Sequence, residues 1–262
     1  TWDDFLEAAK ALTTDTNGDG KIDRWGFAML GTKLGSGANR FIHILRTFGA
    51  YELRQENGKW VTDLDSEKSK AAFQFFTDLY TEHGVVPPGP LEISYGEAVS
   101  LMASEKTAMM ITGPHTIGAI LAQNPNLEGK IYSAPVPKAE KHVSTLGLYG
   151  FSIASTSKNK EAAARYLQFL VDTKNALEWN RVTGRMPTRV EAGEQPQISG
   201  PIYAGFVEGL QYAETIPNVP FYSRIFDIVG ETYQSMLIGS ADVDTATKEA
   251  AALVREEIAR AE

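Results

Sequence analysis

Cysteine is absent from the 262-residue chain. That excludes disulfide frameworks, thiolate metal sites and cysteine nucleophiles, and it leaves the compartment undecided. Long apolar runs are missing too, since none approaches the roughly 18 residues that a membrane-spanning helix needs. Positive charge is in deficit: 25 Lys and Arg face 33 Asp and Glu, for a formal net charge of -8. Nucleic acid is therefore a poor partner on electrostatic grounds. Histidine is scarce, and His43, His83, His115 and His142 show no pairing at metal-ligand spacing. His43, among Phe41, Ile42 and Ile44, reads as a packed side chain rather than a base. There is no Gly-x-Ser-x-Gly elbow, no Walker loop and no dinucleotide fingerprint followed by an acidic residue. Carboxylates abound, yet nothing singles out two of them as a glycosidase pair. Catalysis has no support in the pattern, and binding of a small polar molecule suits it better.

An initiating methionine and a signal peptide are also missing. The chain opens at Thr1-Trp2-Asp3-Asp4, where Thr1 reads as a helix N-cap with Asp4 as a capping-box variant. A natural chain rarely starts on its own cap, so processing, truncation or a start inside a longer protein is expected. Hydrophobic residues at 43% and charged residues at 22% are ordinary for a globular protein, and the length permits one large domain or two smaller ones.

What is present centres on Thr107-Ala-Met-Met-Ile-Thr112, followed by Gly113-Pro114-His115. A short apolar run bounded by turn signals predicts a buried strand. Ile117, Ile120 and Leu121 then recur at helical spacing, so the Gly-Pro pair marks a strand-to-helix corner. Ligands in open α/β sheets bind outside the carboxyl ends of strands, although a core strand with a tight exit would look the same. Upstream, Phe5, Ala8, Ala9 and Leu12 give the first helix its apolar face. Asp15, Asn17, Asp19, Lys21 and Asp23 follow at alternate positions with Gly20 at the sharp turn. This matches the first half of an EF-hand loop, with the Lys21 carbonyl at the seventh position. Gly26 stands where the final Glu belongs, and Asp23 would substitute from the ninth position. A structural Ca²⁺ loop and a solvated Asx-rich turn both fit.

Further along, Trp25–Leu30 reads as a strand, Gly31–Gly37 as a flexible loop, and 39–47 as a helix with Asn39 and Arg40 at its start. Asn57-Gly58 predicts a hairpin between Tyr51–Leu53 and Trp60-Val61. Ser66 caps a long helix carrying Phe73, Phe76 and Tyr80, ended by Gly84. Ser94 with Glu97 is a capping box, which places Tyr95 in a first turn. Lys130–Pro135 and the glycine-broken Leu146–Ala154 read as strands. Ser157 opens a helix with Ala163, Tyr166, Leu167 and Leu170 inward, and Lys174–Val182 forms another. Glu191–Pro201 reads as loop. Helices over 202–214, 223–238 and 242–260 complete the chain.

The ordered set of motifs resembles the extracellular solute-binding proteins of ABC transporters, the large sugar-binding family that includes the maltose-binding protein. The matching stretches are Thr1–Phe5, the Asp15–Asp23 loop with Trp25-Gly-Phe27, Ala98–His115 and Gly147–Ile153. They continue with Ser157–Ala162 and Tyr166–Leu170, then Thr183–Thr188, Pro217–Tyr222 and Gly239–Glu262, and so cover nearly the whole chain. The resemblance implies an α/β, type II periplasmic binding protein-like fold whose two lobes close over a sugar. Residues 1–145 and 191–262 would belong mostly to the second, C-terminal lobe, and 146–190 to the first. Most of the first lobe would lie outside the chain, and apolar faces of 146–190 would be exposed unless that lobe or a domain-swapped partner covered them.

Carried over position by position, His115 falls where many relatives place a sugar-stacking tryptophan, and Tyr95 matches a cleft tyrosine. Asn39 and Arg40 match a ligand-contacting loop, and Tyr222, Arg224 and Phe226 match an aromatic helix. Gly147, Tyr149 and Arg185 lie near the crossovers. For Phe226 and Tyr149, core packing is an equal alternative. The implied role is delivery of a sugar or glycerol phosphate-like solute to an ABC permease from a periplasmic or extracellular position, with lipid or membrane association open for the parent protein. A carbohydrate-active enzyme and a calcium-stabilised interaction module are the alternatives. With half of the clamp missing, the chain alone is expected to bind sugar weakly or not at all.

Overall fold

The computed structural model describes residues 1–33, 35–147 and 150–261. The helices are α1 (Trp2–Ala11), α2 (Gly35–Thr47), α3 (Glu67–Thr81), α4 (Tyr95–Ala103), α5 (His115–Gln123), α6 (Lys160–Leu170), α7 (Thr173–Thr183), the short α8 (Val190–Gly193) and α9 (Pro196–Ser199), α10 (Pro201–Gly209), α11 (Tyr222–Leu237) and α12 (Val243–Ala261). The strands are β1 (Trp25–Phe27), β2 (Arg54–Glu56), β3 (Lys59–Val61), β4 (Thr107–Met109), β5 (Ser144–Leu146) and β6 (Ala213–Thr215). The chain divides into two compact units. The first comprises Thr1–Ile111, Val136–Ser144 and Ile216–Glu262, and the second Thr112–Pro135 and Thr145–Thr215. The division falls inside the Ile111-Thr112-Gly113 corner.

In the first unit Thr1 caps α1 as its sequence predicts, with both halves of the capping box formed to Asp4. Trp2 is buried and its indole N–H donates to Thr47 Oγ1 at 2.8 Å, tying α1 to the end of α2. The strands β1 and β4 pair in parallel, with Trp25 opposite Thr107 and Phe27 opposite Met109. A Cβ on Gly26 would lie 2.1 Å from the Ala9 carbonyl oxygen, so only glycine lets α1 lie this close to β1. Two neighbouring amides continue the ladder, Phe27 N–H to Val85 and Ala28 N–H to Met109. The core itself is helical. Phe41 of α2 meets Phe73 of α3 at 4.3 Å between ring centroids, and Phe76 meets Tyr233 of α11 at 5.3 Å. The aromatic stripe of α3 is core, and Ala250, Ala251 and Val254 give α12 a buried seam against it. The hairpin joins β2 to β3 with Asn57 and Gly58 at φ 52° and 80°, as an Asn-Gly turn requires.

The second unit is mostly helical. It holds β6 and the last two residues of β5, and the two strands pair as a two-stranded sheet. Asp172 caps α7 through the Asn175 amide, and Gly184 at φ 68° ends it. None of the α6 residues is buried, and Tyr166, Phe169 and Trp179 are 60%, 60% and 55% exposed. Large apolar side chains thus face outward along α6 and α7.

Several expectations fail for identifiable reasons. The helix expected at 39–47 begins at Gly35, so Asn39 and Arg40 lie in its second turn. Gly37 is there because a Cβ would meet the Thr32 carbonyl at 2.2 Å and the Tyr233 hydroxyl at 2.7 Å. It serves close packing rather than flexibility. Tyr51–Leu53 is not strand; pairing starts at Arg54. Lys130–Pro135 pairs with no strand among the described residues, and Ser133 Oγ instead accepts from the Gly205 amide at 2.9 Å while α10 crosses Ala134. Only Leu146 of the glycine-broken stretch is in a strand, and Leu148 and Tyr149 lie outside the described residues. Ser157 makes a local turn to the Asn159 amide, and α6 starts at Lys160 with Tyr166 outward rather than inward. Glu191–Pro201 holds α8 and α9, with Ala192 and Ile198 fully buried. The helix expected over 202–214 gives way after Gly209 to a 3₁₀ turn and β6.

Candidate functional site

In the first unit the expected residues gather around the beginning of α2. The Arg40 guanidinium carbon lies 5.5 Å from the centre of the Tyr95 ring, a cation–π geometry. One Arg40 nitrogen also donates to the Ser36 carbonyl at 3.1 Å. Burial lowers the Arg40 pKa, but arginine stays charged throughout the accessible range. The capping box of Ser94 and Glu97 starts α4 at Tyr95 and so aims the ring. On the other flank, Phe226 Cδ2 lies 3.6 Å from where a Gly35 Cβ would be. Asn39, Arg40, Tyr95 and Phe226 are all half-buried, neither sealed nor fully exposed. Arg224 faces Asp227 at 4.0 Å and Glu231 at 3.7 Å.

Tyr222 stands apart. It is 5% exposed, and its hydroxyl donates to Glu52 at 2.5 Å. Burial, and then the Glu52 carboxylate, push its phenol well above the ordinary value, so the proton stays on oxygen and is donated inward. As a solute contact Tyr222 has little surface left. Glu52 in turn receives Arg46 through Nε at 3.1 Å and Nη2 at 2.5 Å, with both side chains buried. Sequence reasoning missed this pair. Arg46 sits in the last turn of an apolar helix, where a cation at a helix C-terminus passes for ordinary decoration.

In the second unit the Gly-Pro corner opens α5 as predicted, with His115 its first residue. The turn after α7 lies directly against it: a Cβ on Gly184 would be 2.9 Å from His115 Cα and 3.0 Å from the Pro114 carbonyl. His115 and the Gly184-Arg185 turn are thus brought together. The turn is held from behind by Asn180, whose side chain is buried and donates to the Arg185 carbonyl at 3.0 Å. Gln197 of α9 donates to the Asn180 side chain at 2.6 Å. Neither Asn180 nor Gln197 was expected; the signal available was the Asn four residues before a C-cap glycine. Gly147 is exposed just beyond β5 and belongs to neither group, and Tyr149 lies outside the described residues.

The Asp15–Asp23 loop turns its carboxylates onto its own amides. Asp15 accepts from the amides of Asn17, Gly18 and Gly20, at 3.1, 2.7 and 2.7 Å. Asn17 accepts from Asp19 and Asp19 from Lys21, each at 2.9 Å. Asp23 accepts from the Thr16 amide and hydroxyl, at 2.9 and 2.8 Å. These bonds hold the Asp15 and Asp23 pKa values below the ordinary carboxylate range, through the Gly20 and Thr16 amides above all. Among the described residues no group of three or more His, Cys, Asp and Glu converges as a metal cage. A cation here would have to draw on Asp15, Asn17, Asp19 and the Lys21 carbonyl, with Asp23 engaged at Thr16. That set falls short of the six or more ligands calcium takes unless water supplies the rest.

Comparison with known proteins places the chain. The profile of the bacterial extracellular solute-binding proteins matches residues 1–177, and the chain belongs to that family. A protein of Brucella abortus (strain 2308) named as a binding protein is 27% identical over 176 residues, 65% of this chain and 42% of its own length. A maltooligosaccharide ABC transporter solute-binding lipoprotein of Streptococcus pneumoniae is 24% identical over 215 residues, 80% of this chain and 50% of its own. Among solved structures, an ABC transporter solute-binding protein of Thermotoga lettingae bound with α-D-tagatose superposes with a TM-score of 0.84 at 28% identity, covering 98% of this chain and 64% of that one. The maltose/maltodextrin-binding domain MalE of Bdellovibrio bacteriovorus, bound to maltotriose, gives a TM-score of 0.76 at 26% identity, covering 98% and 66%. The fold is the periplasmic binding protein-like fold that the ordered motifs implied. The chain spans about half or less of these curated relatives and under two thirds of each solved one.

Proposed function

We propose that this chain is the sugar-binding part of a receptor for an ABC importer. It holds a carbohydrate in an interlobe cleft without covalent chemistry and delivers it to a permease from a periplasmic or extracellular, membrane-anchored position. The observation that carries this reading is the arrangement at the start of α2: a charged guanidinium over the half-buried Tyr95 ring, with the half-buried Asn39 preceding Arg40 in the helix. Sugars need both kinds of surface, since their C–H faces lie on aromatic rings while hydroxyls are met by amide and guanidinium groups. Arg40 also extends the range to solutes carrying phosphate, the glycerol phosphate-like class. The sugars named for solved relatives support the same class.

In this reading residues 1–145 and 191–262 belong to the second lobe and 146–190 to the first. His115 and the Arg185 turn face the solute, with Gly147 and Tyr149 at the crossovers. The outward Tyr166, Phe169 and Trp179 are covered by the rest of the first lobe or by a swapped partner chain. The Asp15–Asp23 loop holds a structural Ca²⁺ with water completing its shell. A glycan array followed by product analysis tests the function. Retention of a sugar that is recovered intact supports it, and hydrolysis of the retained sugar refutes it in favour of a carbohydrate-active enzyme.

A further inference from the structure

The buried ion pair beneath α11 calls for an explanation. Arg46 and Glu52 are 1% and 0% exposed, and two parallel nitrogen–oxygen contacts join them. Burying such a pair costs desolvation on both sides, and an apolar replacement of equal volume is often as stable or more so. Mere cohesion therefore does not account for it. Its distinguishing feature is the third donor on Glu52, the hydroxyl of Tyr222, 170 residues away in sequence. Tyr222 is the first residue of α11, a helix whose N-cap, Phe221, supplies no side-chain hydrogen bond. The ring of Tyr222 meets Phe226 edge-on, with centroids 5.0 Å apart and planes at 83°. Phe226 then rests beside Gly35 at the start of α2. The same node is braced by aromatic stacking, since Arg46 and Lys141 both lie over the Tyr51 ring, at 5.4 and 4.8 Å.

We propose that the Arg46–Glu52 pair is an anchor that sets the first turn of α11 through Tyr222, and with it the position of Phe226 against Gly35 at the start of α2, the helix that carries Arg40. Tyr222 is then a positioning residue rather than a solute contact. The anchor is internal to the first unit, while its consequence for solute rests on the sugar-receptor reading above. A charged acceptor suits the task because one carboxylate oxygen receives both an Arg46 nitrogen and the Tyr222 hydroxyl, fixing the hydroxyl in direction as well as distance. An apolar pair would hold the helix down without fixing its rotation.

The test is Tyr222→Phe, which keeps the ring and its edge contact and removes only the hydroxyl. Amide hydrogen exchange resolved by mass spectrometry should show several-fold faster exchange over 226–229, with 234–237 of the same helix unchanged. Unchanged exchange at 226–229 overturns the proposal, and so does a uniform rise along α11, which marks a merely cohesive role. A second variant guards against misfolding: Arg46→Met with Glu52→Leu removes the pair and the acceptor together, strands no buried charge, and should raise exchange at 226–229 as Tyr222→Phe does. Wild-type protection at 226–229 in that double variant overturns the anchor as well. Titration of Tyr222→Phe and wild type with maltotriose separates the two readings. A several-fold weaker Kd supports both, local exchange changes with no maltotriose binding by wild type leave the anchor standing and remove maltotriose as the solute, and equal Kd values refute the positioning role.

Discussion

Replacing Gly184 with alanine tests whether the turn after α7 sits where it does because it must seat the first residue of α5. Gly184 has φ 68°, in the left-handed region, where an alanine costs about 1 kcal/mol. The added Cβ would also fall 2.9 Å from His115 Cα and 3.0 Å from the Pro114 carbonyl oxygen. Both are backbone atoms at the start of a helix, so relief needs a shift of the backbone by several tenths of an ångström. Overpacking of this kind costs about 1–3 kcal/mol. The two contributions together predict a loss of about 2–4 kcal/mol. Gly239→Ala is the control, because Gly239 has φ 69° with nothing within 4 Å of its Cβ position. Only the conformational cost of about 1 kcal/mol applies there. Urea unfolding of both variants gives the difference, and hydrogen exchange over 115–121 reports whether α5 itself is loosened. Equal losses for the two variants, or unaltered exchange in α5 with the larger loss, would refute the contact between the turn and His115.

Other consequences follow from the same structure. Glu52→Leu leaves Arg46 charged and buried without its partner and should cost about 3–5 kcal/mol, whereas Arg46→Met with Glu52→Leu should regain most of that; a single variant within 1 kcal/mol of wild type by urea unfolding contradicts the buried pair. Burial lowers the His43 pKa from 6.5 to about 4, while its Nδ1 lies 2.7 Å from the Asn39 carbonyl. Between those values the unfolded chain binds a proton that the folded chain refuses, so stability should rise with pH across that window, by at most about 3 kcal/mol. His43→Gln should flatten that slope in urea midpoints taken at stepped pH, and parallel curves for the two proteins contradict it. Chelation should lower the melting temperature of the wild type and leave Asp15→Ala unaffected; identical wild-type melts with and without EDTA would remove calcium from the Asp15–Asp23 loop.

The parts of the fold that sequence made legible are those governed by local chemistry. Thr1, Ser66 and Ser94 announce helix starts because an oxygen side chain meets an orphan amide two or three residues on, and each does so here or closes a capping box. Asn57-Gly58 announces its hairpin because only those residues accept positive φ cheaply. What stayed hidden depends on partners distant in sequence. Gly37 reads as loop until Tyr233 and Thr32 are seen to leave no room for a side chain. Lys130–Pro135 has the composition of a strand but lies against Gly205 of α10, and no local pattern states which neighbour an extended segment will find. At the candidate site, the residue types around α2 were readable through their resemblance to relatives. The inward turn of Tyr222 was not, because its fate is decided by Glu52 across 170 residues.

Isothermal titration of the full-length protein with tagatose, maltotriose and glycerol phosphate, with chromatography of the recovered solute, goes directly to the claim that this family member is a non-catalytic sugar receptor. Saturable binding of a carbohydrate that returns chemically unaltered, and that weakens with Arg40→Ala or Tyr95→Ala at unchanged melting temperature, is the predicted result. Cleaved sugar, or binding indifferent to both substitutions, would contradict it.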